Sequence, residues 1–267
     1  MGAIAAIGEA VNAVRRNPVI IVVTLLFALL QIPQLVSPYL ATDIGLVVSG
    51  LFSLVFVFVL PFYFGGIIGM AAEALNGKTS LRTFLRVGRA NYVSMFGAYL
   101  LLVVAMVVYF VVLAIVGGVG GFVAVGIGQS GGAAGTGSLL VFAGLVLLLF
   151  VLVFAFSFFV QFFGQAIVLD GESAVGGFKK SVRVVWGHKL STLGYMAILV
   201  LFSMVFGTIG GIVGTLPTLY DVNDLLVVAA VLSVGLVIAT GIIGAFTAAY
   251  GVAFYEQIRA PGEQQPA

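Results

Sequence analysis

A chain of 267 residues in which 62% are apolar and only 7% charged cannot cover a water-soluble surface, because soluble domains carry roughly 25% charged residues. The composition is that of an integral membrane protein, and the mean hydropathy of +1.28 agrees. With no cysteine and a single histidine, disulfides and thiolate metal sites are excluded, and the formal net charge of +2 matters less than where the charges fall.

Residues 3–16 read as an amphipathic helix, with Ile4, Ile7, Val11 and Val14 on one stripe and Glu9, Asn12 and Arg15 or Arg16 away from it. Arg15-Arg16 ahead of an apolar run has the look of a signal sequence. The run is nearly span-length, however, and no A-x-A pattern follows, so the first span is retained. Pro18 suits the first turn of a new helix, where its missing N–H would be unpaired anyway. Span 1 runs from Pro18 to Val36, with Ser37-Pro38 as its stop and Tyr39 as an interfacial anchor. Span 2, from Ile44 to Ala72, contains Pro61, which is expected to kink it. Gly65-Gly66-x-x-Gly69 follows, a small-residue face on which a neighbouring helix can approach closely.

After the turn Asn76-Gly77-Lys78-Thr79 the amphipathic pattern returns. Leu81, Phe84 and Leu85 face one way, and Arg82, Arg86 and Arg89 recur at i, i+4 and i+7 on the other. Span 3 covers Tyr92 to Val116. The glycine-rich stretch from Gly117 to Gly137 reads as a flexible loop, its first part through Val125 as frayed membrane helix. Span 4, Leu139 to Leu169, exceeds the ~20 residues a bilayer requires, so it must tilt, kink or project.

The longest polar interruption in the C-terminal half runs from Asp170 to Lys189. Wound as a helix, it places Ala174, Val175, Phe178, Val182 and Val185 on one side and Lys179, Lys180 and Arg183 on the other. Ser173 or Asp170 can cap its start. Span 5, Leu190 to Leu216, is ended by Pro217; the loop Thr218–Asp224 leads into span 6, Leu225 to Tyr250. The sequence thus predicts an all-α, polytopic membrane helical bundle over residues 1–255, with six transmembrane helices and cytoplasmic amphipathic interfacial helices. The polar tail, residues 256–267, reads as disordered and cytoplasmic.

All eleven Lys and Arg residues fall on one side of this threading, and the opposite loops carry only Asp43, Asp221 and Asp224. By the positive-inside rule both termini are cytoplasmic and the protein is a multi-pass resident of the cell membrane. Each odd-numbered span is preceded by a basic amphipathic helix. The helices end at Arg16-Asn17, Arg89-Ala90-Asn91 and Gly187-His188-Lys189, which suggests three repeated units. A cationic interfacial helix faces the anionic leaflet, so Arg82, Arg86, Arg89, Lys179, Lys180 and Arg183 are the candidate contacts to lipid headgroups.

The segment GQAIVLDGESAVGGFKKSVRVVWGHKLSTLGYM is similar to one that marks a broad group of six-helix membrane proteins. In that group a span ends in a short acidic turn, and an Ala…(Lys/Arg)-Ser…Trp helix leads to the next. The group includes the membrane domain attached to some bacterial glycerophosphodiester phosphodiesterases. The RRNPVI start, Gln31-x-Pro33-Gln34 and EALNGKTSLRTF resemble an uncharacterised archaeal family. The resemblance implies the fold; the phosphodiesterase domain itself is absent, so its activity is not carried over.

No catalytic constellation emerges. Gly126-x-Gly128-x-x-Gly131 lacks the strand and the acidic residue of a dinucleotide site. Gly128-x-Ser130-x-Gly132 mimics a nucleophile elbow, but His188 falls on the opposite side of the membrane. Gly77-Lys78-Thr79 has Ala72 where a phosphate loop needs its first glycine. Asp221 and Asp224 read as solvated surface charges rather than a cation site. Gln161 and Gln165, one turn apart on span 4, and Gln31 and Gln34 at the end of span 1 read as interhelical hydrogen-bonding residues, with a polar substrate path as the sharper alternative. The expectation is a non-enzymatic envelope or scaffold protein, without cofactor or metal, whose partners are membrane lipids and other membrane proteins and not nucleic acid. The alternative is a transporter or channel for a small or amphiphilic solute, which a central polar cavity would favour over a solidly packed bundle.

Overall fold

The computed structural model describes residues 2–37, 40–122, 132–219 and 222–259, and every regular element among them is helical. Helix α1 (Gly2–Arg16) meets α2 (Val19–Leu30) at an elbow of 88°. At this corner the Asn17 amide donates to the carbonyls of Ala13 (3.0 Å) and Gly77 (3.0 Å), and its Oδ1 accepts from the Thr79 N–H (2.9 Å). One buried side chain thereby ties the elbow to the turn between the next two helices. Pro33 opens α3 (Ile32–Val36) and has no N–H to give back along the chain, so the helix breaks at Gln31.

Helix α4 (Thr42–Asn76) runs uninterrupted through Pro61, and α5 (Leu81–Ile115) lies against it. Gly65, Gly66 and Gly69 form the contact: an added Cβ at Gly69 would lie 2.5 Å from Val87 Cγ1, and one at Gly66 would lie 2.5 Å from the Phe84 ring. The chain continues as a π-helical turn, Val116–Gly120. Then come α6 (Gly132–Val160), α7 (Phe163–Asp170), α8 (Ala174–Gly187), α9 (Lys189–Leu219) and α10 (Val222–Ile258). Among the described residues four helices are long and apolar enough to cross a membrane: Thr42–Asn76, Leu81–Gly120, Thr136–Asp170 and Val237–Ile258. The number rises to six if each bent pair, α1 with α2 and α8 with α9 (103°), forms one span.

Several expectations need correction. The arginines Arg82, Arg86 and Arg89 are not on a separate interfacial helix; they stand on the first turns of α5, which continues straight into its apolar part. Pro18 and Gly187 interrupt the other two approaches, whereas Arg89-Ala90-Asn91 holds no breaker, and Asn91 donates within the helix to the Val87 carbonyl (3.1 Å). Of the three expected approach helices, two are therefore bent away from the helix that follows and one runs straight into it. The glycine-rich loop is also shorter than expected, since helix persists to residue 122 and resumes at Gly132. Residues 123–131, with the pseudo-motifs through Gly131, lie outside the described residues, as do Tyr39 and Asp221. In an apolar medium an unpaired backbone group is costlier than the ~1 kcal/mol helix penalty of a glycine. Pro217 lies inside α9, which ends at Leu219. Helix α10 extends through Glu256 to Ile258, so the first residues assigned to a disordered tail belong to the folded body.

The core gathers at the basic end. Helix α1 buries Ala6, Ala10, Ala13 and Val14, while Ile4 and Val11 of the predicted stripe stay exposed. Small residues win because α1 packs closely on α10, where Gln257 Nε2 donates to Glu9 Oε1 (3.1 Å). The most apolar windows of α5 and of the α6–α7 span contain no buried residue.

Candidate functional site: an uncharged polar cavity between broken helices

Two breaks in helical structure face the same space. The first is Gln31, between α2 and α3. The second is the turn Gln161-Phe162, between α6 and α7. Ser181 of α8 repairs the second break: its Oγ accepts from the Phe162 N–H (3.0 Å) and donates to the Phe159 carbonyl (2.8 Å). Irregular backbone in an apolar medium is tolerated where it is buried in protein or lines a cavity; Phe162 is fully buried, and Gln31, Gln161 and Phe163 line a cavity.

The cavity measures ≈ 430 Å³ and lies between α2, α4, α5, α7 and α10. Thr24, Gln31, Gln161, Gln165, Thr240 and Thr247 supply its polar wall, and Tyr63 and Tyr99 line it beside Phe27, Ile67 and Met95. Thr24 Oγ1 lies 2.5 Å from the Gly241 carbonyl, a donation that joins α2 to α10 along one side of the space. Gly251 leaves room for Gln165, whose Nε2 would lie 3.2 Å from an added Cβ there. A second cavity of ≈ 360 Å³ reaches Gln34 and Ser53 and shares Phe27, Gln31 and Tyr99 with the first.

The expected interhelical bonding of the glutamines holds for one of the four. Gln34 Nε2 donates to Ser53 Oγ across helices (3.1 Å), whereas Gln161 Nε2 turns back to the Phe158 carbonyl of its own helix (3.0 Å). The Gln31 and Gln165 amides line the cavity and bond to no described residue. Toward the basic end the cavity gives way to an aromatic layer. Tyr195 stacks on Tyr250 (4.8 Å between centroids) and on Phe254 (4.6 Å), with Phe162 at 5.2 Å.

Beyond that layer lies a buried charge cluster. Asp170, with 2% of its side chain exposed, pairs with Lys180 Nζ (3.3 Å) and with an Arg259 guanidinium nitrogen (3.2 Å). The Tyr255 hydroxyl donates to the same carboxylate (2.5 Å). Asp170 was read as a possible cap for α8, but Ser173 does that work by accepting from the Gly176 N–H (3.2 Å). A carboxylate abutting an apolar run was the sequence signal for a buried partner.

The six candidate headgroup contacts separate here. Arg82, Arg86, Arg89, Lys179 and Arg183 are exposed. Lys180 is only 7% exposed and turns inward to Asp170, so a headgroup contact there is replaced by an internal ion pair. The helical wheel misassigned it because α8 buries Gly177, Lys180, Ser181 and Val185, a face with two polar members, and leaves Val175, Val182 and Trp186 exposed.

Long apolar helices around an uncharged polar cavity define a helical protein of membrane-compatible architecture. The chain belongs to the family described as Domain of unknown function (DUF7847), whose model matches residues 1–258. Neither the curated proteins nor the solved structures contain a match to it.

Proposed function

We propose that this protein is a six-span carrier or channel for a small, neutral or amphiphilic solute, bound in the cavity between the broken helices. The observation that carries the reading is the pairing of two helix breaks, at Gln31 and at Gln161-Phe162, around one uncharged polar space. Discontinuous helices near mid-membrane are a common way to build a solute site, because freed backbone groups and amides replace the solute's water. Among the described residues no Asp, Glu, Lys or Arg lines either cavity, which favours a solute without net charge. The aromatic layer and the Asp170 cluster pack at the basic end, and the second cavity extends the shared lining toward Gln34 and Ser53, so in this reading the solute enters from that side.

In this reading the two bent pairs each count as one span. The protein is a cell-membrane resident with both termini cytoplasmic, it performs no covalent chemistry, and it works among membrane lipids and other membrane proteins. We also take the chain as kin to the archaeal family and to the phosphodiesterase-linked membrane domain, which would share its six-span fold. The scaffold reading stands second and rests on the outward apolar faces of α5 and α6, which a protein partner could cover as well as lipid. The test uses the cysteine-free background. Gln165→Cys in proteoliposomes should react with N-ethylmaleimide, and the modification should slow glycerol flux measured by light scattering. A Gln165→Cys protein that stays unreactive until denatured, or glycerol flux no faster than in empty vesicles, would remove the carrier reading and leave the scaffold.

A further inference from the structure

We infer that the groove between α5, α6 and α8 is a specific binding site for one anionic phospholipid, with an acyl chain in the groove and the phosphate on Lys179. This site is separate from the cavity and does not depend on the carrier reading. The groove encloses ≈ 670 Å³, and Leu101, Ala105, Ala155, Phe159 and Val182 line it. Lys179 is the charged residue in its wall.

Neighbouring lysines show why the charge at this position points to a ligand. Lys180 is neutralised inside the protein by Asp170 at 3.3 Å. Lys179 is exposed and forms no ion pair with any described residue. Lys179 lines this otherwise apolar groove and is exposed, a combination that suits a lysine laying its aliphatic stem on apolar surface with the ammonium in water. Arg183, one turn further along α8, is exposed as well and adds to the local potential. The occupant must therefore bring a long apolar body and an anion at one end. A phospholipid supplies both in one molecule, whereas an apolar partner helix would fill the groove and leave Lys179 without a counter-charge.

The protein carries its own reporter. Trp186, the single tryptophan, stacks on Phe159 of the groove wall with 5.5 Å between centroids, and Lys189 Nζ sits 3.5 Å above its ring. Purified protein in phosphatidylcholine vesicles should show saturable Trp186 quenching when brominated-chain phosphatidylglycerol is added. Half-saturation should come at about fivefold lower mole fraction than with brominated-chain phosphatidylcholine, the factor expected of one surface cation. Lys179→Gln should abolish that preference and Lys179→Arg should keep it; both sit at an exposed position, so the fold is not at risk. Ala155→Phe, which fills the groove, should lower quenching by both lipids. Equal quenching by the two lipids in the wild type, or a preference that survives Lys179→Gln, overturns the site. So does cross-linking of Ala155→Cys into a dimer, since a second copy of the chain would then occupy the groove.

Discussion

Asp170 places a full charge where 2% of its side chain meets solvent, and Lys180, Arg259 and Tyr255 converge on it from α8 and from the end of α10. Removing one partner of a buried ion pair leaves the remaining charge desolvated and uncompensated, which costs roughly 3–5 kcal/mol. Asp170→Asn should therefore lower the stability of the detergent-solubilised protein by about that amount. Lys179→Gln, one residue from Lys180, should leave stability unchanged. Thermal unfolding of the two variants side by side is the measurement, and equal melting curves would mean that the cluster is not a structural lock. Nothing in the spacing of Lys179 and Lys180 distinguishes them. What separates them is the rotation of α8 about its axis, and Ser181 sets that rotation by reaching back to the broken turn at Phe162.

At the scale of elements, the glycines of α4 make the sharpest forecast. A Cβ at Gly69 would collide with Val87 on α5, whereas one at Gly50, on the same helix, would meet nothing within 4 Å. Gly69→Ala should cost on the order of 1–3 kcal/mol through overpacking. Gly50→Ala should be neutral or slightly stabilising, since alanine is the better helix former by about 1 kcal/mol. Chemical denaturation of both variants reads the difference, and equal losses would remove close packing as the reason for the Gly-Gly-x-x-Gly spacing. This face was legible in the sequence because small residues at helical spacing have one common structural use in a membrane. The helices themselves were legible for a similar reason, as runs of apolar residues leave the backbone only itself to bond with. The breaks were harder to see. The sequence predicts span 1 unbroken from Pro18 to Val36, although Pro33 is a local signal for the break at Gln31. The break at Gln161-Phe162 has neither proline nor glycine at the turn, and its stabilising partner, Ser181, is 19 residues away. The α1 stripe was misread because a wheel ranks residues by hydrophobicity. A helix packed tightly against another selects instead for smallness, and so alanines were buried in place of Ile4 and Val11.

On the scale of the whole molecule, α4 is the ruler for orientation. Its 35 residues span about 52 Å at 1.5 Å per residue, more than a full bilayer including headgroups. Thr42 and Asn76 lie at its two ends, and both are exposed. With the basic residues on the inside, Thr42→Cys should react with an impermeant maleimide in intact cells, and Asn76→Cys only after the membrane is opened. The reverse pattern would invert the topology, and labelling of both from outside would deny that α4 crosses at all.

The contact between α1 and α10 has a consequence for how the protein comes into being. Glu9 and Gln257, which bond across it, are 248 positions apart in the chain. A ribosome adding ~5–20 residues each second needs roughly 12–50 s to make that stretch. Throughout that time α1 lacks its packing against α10, and Asp170 waits for Arg259 as well. The nascent protein therefore lacks the helix that packs against α1, α2, α4 and α9 until its synthesis is nearly complete. Until then the half-made chain must borrow lipid, or a membrane chaperone, to shield the surfaces that α10 will later occupy.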